Sequence, residues 1–169
     1  MTRAALALGA NQGDPRTTLH GAVAGLSAHP GVDVLAVSGL WQTAAVGGPE
    51  QPDYLNAVIV VQTSLDPQAL LSLAHDLEEA AGRVRDVRWG PRTLDVDLLA
   101  FDEVRTDDPA LTLPHPRAHQ RSFVLEPWAQ VDPGFVLEPM GGPARTVGQW
   151  AASITDQQVT LLEGDAWWR

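Results

Sequence analysis

Cysteine and lysine are both absent from this chain of 169 residues. Without cysteine there are no disulfides, no thiolate metal sites and no cysteine nucleophile, and a cytoplasmic address is the expectation. Without lysine there is no P-loop, whose lysine reaches the nucleotide phosphates, and no amine for Schiff-base or pyridoxal chemistry. Long apolar runs are missing too. None approaches the roughly 18 residues of a membrane span, and the apolar stretch that runs from Ala4 to Gly9-Ala10-Asn11 is too short for a secretory signal. Basic charge is scarce: 11 arginines stand against 21 acidic residues, a formal net charge of −10. Broad nucleic-acid or anionic-membrane binding needs a large basic surface, so neither partner is expected.

What positive charge there is lies in two places. Arg83, Arg85, Arg88 and Arg92 fall within ten residues, and Arg117 and Arg121 form a second small group. Directly after the first group, apolar Leu94, Val96 and Leu98 alternate with Thr93, Asp95 and Asp97. A period of two reads as a strand and puts both carboxylates on one face. Hard ions such as Mg²⁺ are held by one or two carboxylates plus substrate phosphates, and guanidinium groups grip phosphate oxygens as rigid forks. The combination points to a metal–polyphosphate site. The same residues also fit a blander pattern, a solvated strand face after an arginine-bearing surface.

With 44% hydrophobic and 19% charged residues, the chain is predicted to form one globular domain over residues 1–169. Arg3 to Leu8 reads as a first strand, and Asp14-Pro15 as a cap with proline in the first helical turn, followed by Leu19, Ala22, Val23 and Leu26 at helical spacing. Val32 to Trp41 and Leu55 to Thr63 read as two strands joined by a loop from Thr43 to Asp53. Asp66-Pro67 repeats the cap, and a second helix runs to Gly82. The Asp95 strand follows. That order, βαββαβ, predicts an α+β ferredoxin-like sandwich with its helices on one sheet face. Beyond Glu103 the proline-rich remainder reads as C-terminal elaborations: an extended Leu111 to Pro116, a short helix over Ser122 to Gln130, and a tail holding Trp150, Trp167 and Trp168. No heptad or repeat appears, and a monomer is expected.

The stretch Arg88-Trp89-Gly90-Pro91-Arg92-Thr93-Leu94-Asp95-Val96-Asp97-Leu98-Leu99 resembles the signature of the 6-hydroxymethyl-7,8-dihydropterin pyrophosphokinase family. Gly9-Ala10-Asn11 with Gly13-Asp14, Gln51 to Ala57, Gly82 to Arg85, Leu113 to Arg117 and Arg121 to Leu125 match the same family in the same order. The resemblance spans Leu6 to about Pro133. It implies transfer of a pyrophosphoryl group from ATP to the alcohol of 6-hydroxymethyl-7,8-dihydropterin in folate biosynthesis, with AMP released. It also implies two Mg²⁺ ions on Asp95 and Asp97, and a mobile arginine flap from which Arg83, Arg85 and Arg92 reach the phosphates.

By the same resemblance Trp89 and Phe123 stack on the pterin, Asn56 reads its edge, and Thr43, Ala44, Val46 and Tyr54 line the pocket. His75, Glu78, Leu98, Thr112, His115 and Arg121 fall where ATP is bound. Four positions depart from better-known members: Ala44, His75, Ala110 and Pro116. They bear on substrate contacts, not on the aspartates or Arg92. His115 and His119 also have His-x-x-x-His spacing, but Pro114 and Pro116 disfavour the helix on which that spacing binds zinc.

Overall fold

The computed structural model describes residues 1–45, 50–82 and 93–169. Five strands and two helices build the half of the chain predicted to be βαββαβ: β1 (Thr2–Ala10), α1 (Pro15–Ala28), β2 (Val32–Val37), β3 (Leu40–Thr43), β4 (Tyr54–Thr63), α2 (Pro67–Ala80) and β5 (Asp95–Phe101). Then come β6 (Thr106–Asp108), β7 (Leu111–Leu113), α3 (Ser122–Val131), β8 (Val136–Leu137), β9 (Arg145–Thr146), α4 (Val147–Ser153) and β10 (Thr160–Glu163). Single 3₁₀ turns cover Ala118–Gln120 and Asp165–Trp168.

Both predicted caps form. Asp14 Oδ1 accepts from Thr17 N–H at 3.3 Å and Asp66 Oδ1 from Ala69 N–H at 2.8 Å, each supplying one of the donors that a helix start leaves unpaired. Proline follows each cap, where its missing N–H costs nothing. Gly82 closes α2 at φ +73°, a conformation that glycine adopts without a Cβ penalty.

The main sheet has the order β10-β3-β4-β1-β5, every neighbouring pair antiparallel. Because β1 pairs along β4 from Leu55 to Thr63, β2 and β3 share the opposite edge of β4. The predicted single strand from Val32 to Trp41 is therefore two, broken at Ser38-Gly39. Ser38 Oγ accepts from Val58 N–H at 2.9 Å in place of a backbone partner. A Cβ on Gly39 would collide with Glu163 O and lie 2.7 Å from Leu161 Cδ1, so only glycine lets β10 pass this close.

Helices cover both sheet faces, not one. On the first face Leu6, Leu8, Ile59 and Val61 pack with Leu19, Val23 and Leu26 of α1 and Leu70 and Ala74 of α2. On the second, Ala5, Val58, Leu99 and Ala100 pack with Val124, Leu125 and Trp128 of α3 and Val147, Trp150 and Ala151 of α4. A two-faced apolar sheet must be covered twice, and the C-terminal elaborations supply the second layer. A bulge at Leu99, skipped between the pairs Ala5–Ala100 and Leu6–Leu98, puts the successive residues Leu99 and Ala100 on the same face, between Leu98 and Phe101 on the other. Each fully buried leucine contributes on the order of 1.5–3 kcal/mol relative to exposure. No helix among the described residues is long and apolar enough to cross a membrane.

Candidate active site

The second face changes character towards the C-terminal end of β1. Gly9 pairs with Asn56 on one side and Asp95 on the other, and Ala7 pairs with Val58 and Asp97. Side chains of directly paired residues share a face, so Asn56, Asp95 and Asp97 all project from the face that α3 covers further along. Between them β1 offers only Gly9 and Ala7. Two strand spacings of about 4.8 Å put the Asn56 backbone roughly 10 Å from that of Asp95, and the residues of β1 that lie between them on this face are small.

Gly9 keeps this gap open. A Cβ there would meet Asn56 Oδ1 at 3.3 Å and Tyr54 Cδ1 at 4.0 Å. Asn56 is 5% exposed, and its Nδ2 is buried with no hydrogen-bond partner among the described residues. A buried amide donor without a partner costs about 1–3 kcal/mol. Thr43 pairs with Tyr54 at the neighbouring edge, and Ala44 lies exposed just past it. Asp97 is exposed and Asp95 half-buried.

Positive groups stand opposite the aspartates. Backbone N–H of His115 donates to Leu99 O at 2.8 Å and so ties its loop to β5. Burial pushes the His115 imidazole below its ordinary pKa; Asp97 opposes that shift, and Arg121 and Arg117 add to it. His115 Nδ1 accepts from Arg117 N–H at 3.2 Å, which leaves the proton of the neutral ring on Nε2. Arg121 precedes α3, with its guanidinium 5.5 Å from the centre of the Phe123 ring. Burial lowers its pKa, with Asp97 and Asp95 acting in the opposite direction. Asp95, Asp97, His115, Arg117 and Arg121 are thus within electrostatic reach of one another, and Phe123 lies beside them.

Other expected residues are placed differently. Glu78 is 3% exposed and its Oε2 accepts from Val96 N–H at 2.9 Å, so this carboxylate holds the outer edge of β5. Leu98 is 4% exposed in the core beneath the sheet, which leaves only its backbone to face a ligand. His75 is exposed on α2, and Thr112 Oγ1 donates to Asp108 O at 3.0 Å. His119 packs edge-on against Trp150, 5.2 Å between ring centres. Val46, Arg83, Arg85, Trp89 and Arg92 lie outside the described residues.

Among the described residues no group of three or more His, Asp or Glu side chains is arranged to enclose a metal ion. Two adjacent carboxylates open to solvent on one side fit Mg²⁺, which keeps several waters and takes further ligands from substrate phosphates. Nothing in the local sequence singles out Asn11 within Gly9-Ala10-Asn11. This side chain is 1% exposed, and its Nδ2 donates to Gln51 Oε1 at 2.8 Å and to Pro52 O at 3.0 Å.

A small mixed α/β fold that gathers Asn56, Asp95, Asp97, His115 and Arg121 at one end of an antiparallel sheet is the class that this geometry defines. Residues 5–133 match the family model described as 7,8-dihydro-6-hydroxymethylpterin-pyrophosphokinase (HPPK), and the chain belongs to that family. A 2-amino-4-hydroxy-6-hydroxymethyldihydropteridine pyrophosphokinase of Methylorubrum extorquens is 44% identical over 163 residues, covering 96% of this chain and 100% of its own. The protein of that name from Bacillus subtilis is 44% identical over 126 residues, 75% of each chain. A crystal structure of Plasmodium falciparum HPPK-DHPS superposes with a TM-score of 0.65 at 13% identity, covering 89% of this chain and 44% of that one. At that identity the likeness is one of fold.

Proposed function

We infer that the chain transfers a pyrophosphoryl group from ATP to the hydroxymethyl oxygen of 6-hydroxymethyl-7,8-dihydropterin, the reaction for which its family is named and a step of folate biosynthesis. The pterin oxygen attacks the β-phosphorus, the bond from that phosphorus to the α,β-bridging oxygen breaks, and AMP leaves with the oxygen. The observation that carries this reading is the juxtaposition on one sheet face of an unsatisfied Asn56 amide, the gap at Gly9, and the aspartates facing His115 and Arg121.

The residues divide the work. Asn56 reads the edge of the pterin, with Tyr54, Thr43 and Ala44 around it, and Phe123 offers an aromatic face to a flat heterocycle. Arg121 and the Nε2–H of His115 meet triphosphate oxygens, joined by Arg83, Arg85 and Arg92 of the sequence motif, with Trp89 as a second stacking face. Asp95 and Asp97 would hold the two expected Mg²⁺ ions, which when bound neutralise triphosphate charge. Catalysis is then mainly in-line positioning and charge stabilisation. The strand order and the connectivity of the first 101 residues, in which β2 and β3 together take the place of one strand of βαββαβ, support a ferredoxin-like description of the scaffold, with the C-terminal layers belonging to the same domain.

The test is product identity. Protein, ATP and Mg²⁺ are incubated with and without the pterin alcohol, and nucleotides are separated by chromatography. AMP that appears only with pterin is the expected result. Formation of ADP and phosphate would instead indicate water activation by the same aspartates, and no ATP turnover at all a binding module.

A further inference from the structure

We propose that Asn11 and Gln12 are positioning residues, an extension of β1 that fixes the pterin-reading segment and the aspartate strand in register with each other. The proposal rests on the pterin-transfer reading above. β1 already holds Asn56 and Asp95 on its two flanks through Gly9. Two residues later, the Asn11 amide donates to Gln51 Oε1 and Pro52 O, in the lead-in to β4 just before Tyr54 and Asn56. One residue further, Gln12 Oε1 accepts from Thr93 Oγ1 at 3.2 Å, in the lead-in to β5 just before Asp95. A single short segment therefore grips both strands where they enter the site.

Burial gives the grip its strength. Asn11 is 1% exposed, and a buried amide that loses its partners pays its full desolvation cost. Both amide hydrogens go to residues some forty positions away, so the side chain acts as a tether across the sheet end. The Thr93–Gln12 bond is exposed and weaker. The pterin lies between the two tethered strands in this reading, whereas the nucleotide groups on the loop from His115 to Arg121 are tied instead to β5 and α3. Loosening Asn11 should therefore move the pterin contacts and leave those of ATP in place.

Asn11→Ala, Gln51→Ala and the double variant are compared by steady-state kinetics in each substrate and by thermal unfolding. Loss of these buried hydrogen bonds is expected to raise the KM for pterin about tenfold in Asn11→Ala while the KM for ATP stays within about twofold. Gln51→Ala shifts the same constant by a smaller factor, and the two changes are less than additive because both remove the Asn11–Gln51 hydrogen bond. Equal rises in both KM values, or a lowered melting temperature with an unchanged pterin KM, would show that Asn11 is merely structural and overturn the proposal. Should Asn11→Ala not fold, the half-buried Gln51 carries the test, and an unchanged pterin KM in Gln51→Ala overturns it. If the unsubstituted chain forms no AMP from ATP and pterin, the reaction assignment is what fails. Direct titration of pterin into both proteins, in the presence of a non-hydrolysable ATP analogue, then decides the brace by the same difference in affinity.

Discussion

The two faces of one sheet are built to different ends. Under α1 and α2, β1 presents Ala4, Leu6, Leu8 and Ala10, and β5 presents Val96, Leu98 and Phe101, so large apolar side chains continue to the very end of the strands. On the opposite face the same two strands present Ala5, Ala7 and Gly9 beside Ala100, Asp97 and Asp95. There the side chains shrink, then vanish, then turn ionic. Apolar packing stops where α3 begins, and the vacated end receives Asn56, His115 and Arg121. The filled face holds the fold, which frees the other to keep groups that are costly without a ligand: an unsatisfied amide, and arginines that repel each other.

Substitutions on the two faces of neighbouring strands should therefore separate activity from stability. The largest effect is expected from Asp97→Ala, which removes an exposed carboxylate from the ionic face. Loss of one group that stabilises developing charge typically costs about 10²–10³-fold in kcat, so AMP formation at saturating Mg²⁺ should fall by that order. The melting temperature should barely change, since surface substitutions usually stay within about 0.5 kcal/mol. Activity held within about twofold would remove Asp97 from the metal site. Leu6→Ala tests the other face. Leu6 is wholly buried, and a large-to-small change there is expected to cost about 3 kcal/mol in urea unfolding, with kcat of the folded fraction nearly unchanged. A Leu6→Ala protein of normal stability and poor turnover would erase the distinction between the faces.

How much of this was legible in the sequence depends on the range of the interactions. Asp14-Pro15 and Asp66-Pro67 act within three residues, and both helices begin where those pairs place them. Alternation along Leu94 to Leu98 puts Asp95 and Asp97 together on one side, and the same alternation points the Leu98 side chain into the core. What stayed hidden was long-range. At the break at Ser38-Gly39 β10 passes close by, and that strand carries an Arg16–Glu163 ion pair at 2.8 Å between residues 147 positions apart. The helix over Ser122 was visible from its residues, but not that it would cover the second face. Asn11 looked like part of a turn, since nothing local distinguishes a buried tether from an exposed asparagine.

The smallest effect expected is a pH dependence at the margin between the two environments. His115 reaches the ionic site from the loop tied to Leu99, a residue of the second apolar cluster, and burial is the largest influence on its imidazole, ahead of Asp97 and the two arginines. Its folded-state pKa is therefore below the ordinary value near 6.5. The sign follows from proton binding: as pH falls through about 6.5 the unfolded chain takes up a proton that the folded chain refuses, so stability is complete above that pH and declines below it. His119, also depressed by burial, contributes in the same direction, which makes bulk unfolding curves ambiguous and calls for a site-resolved probe. Following the His115 ring by NMR should give a midpoint below 6.5 in the free protein, and a higher one when ATP and Mg²⁺ bind, because triphosphate oxygens favour the charged ring. A midpoint that ATP leaves unmoved would take His115 out of the phosphate site and leave it as a residue of the apolar layer, and one at or above 6.5 without nucleotide would contradict its burial.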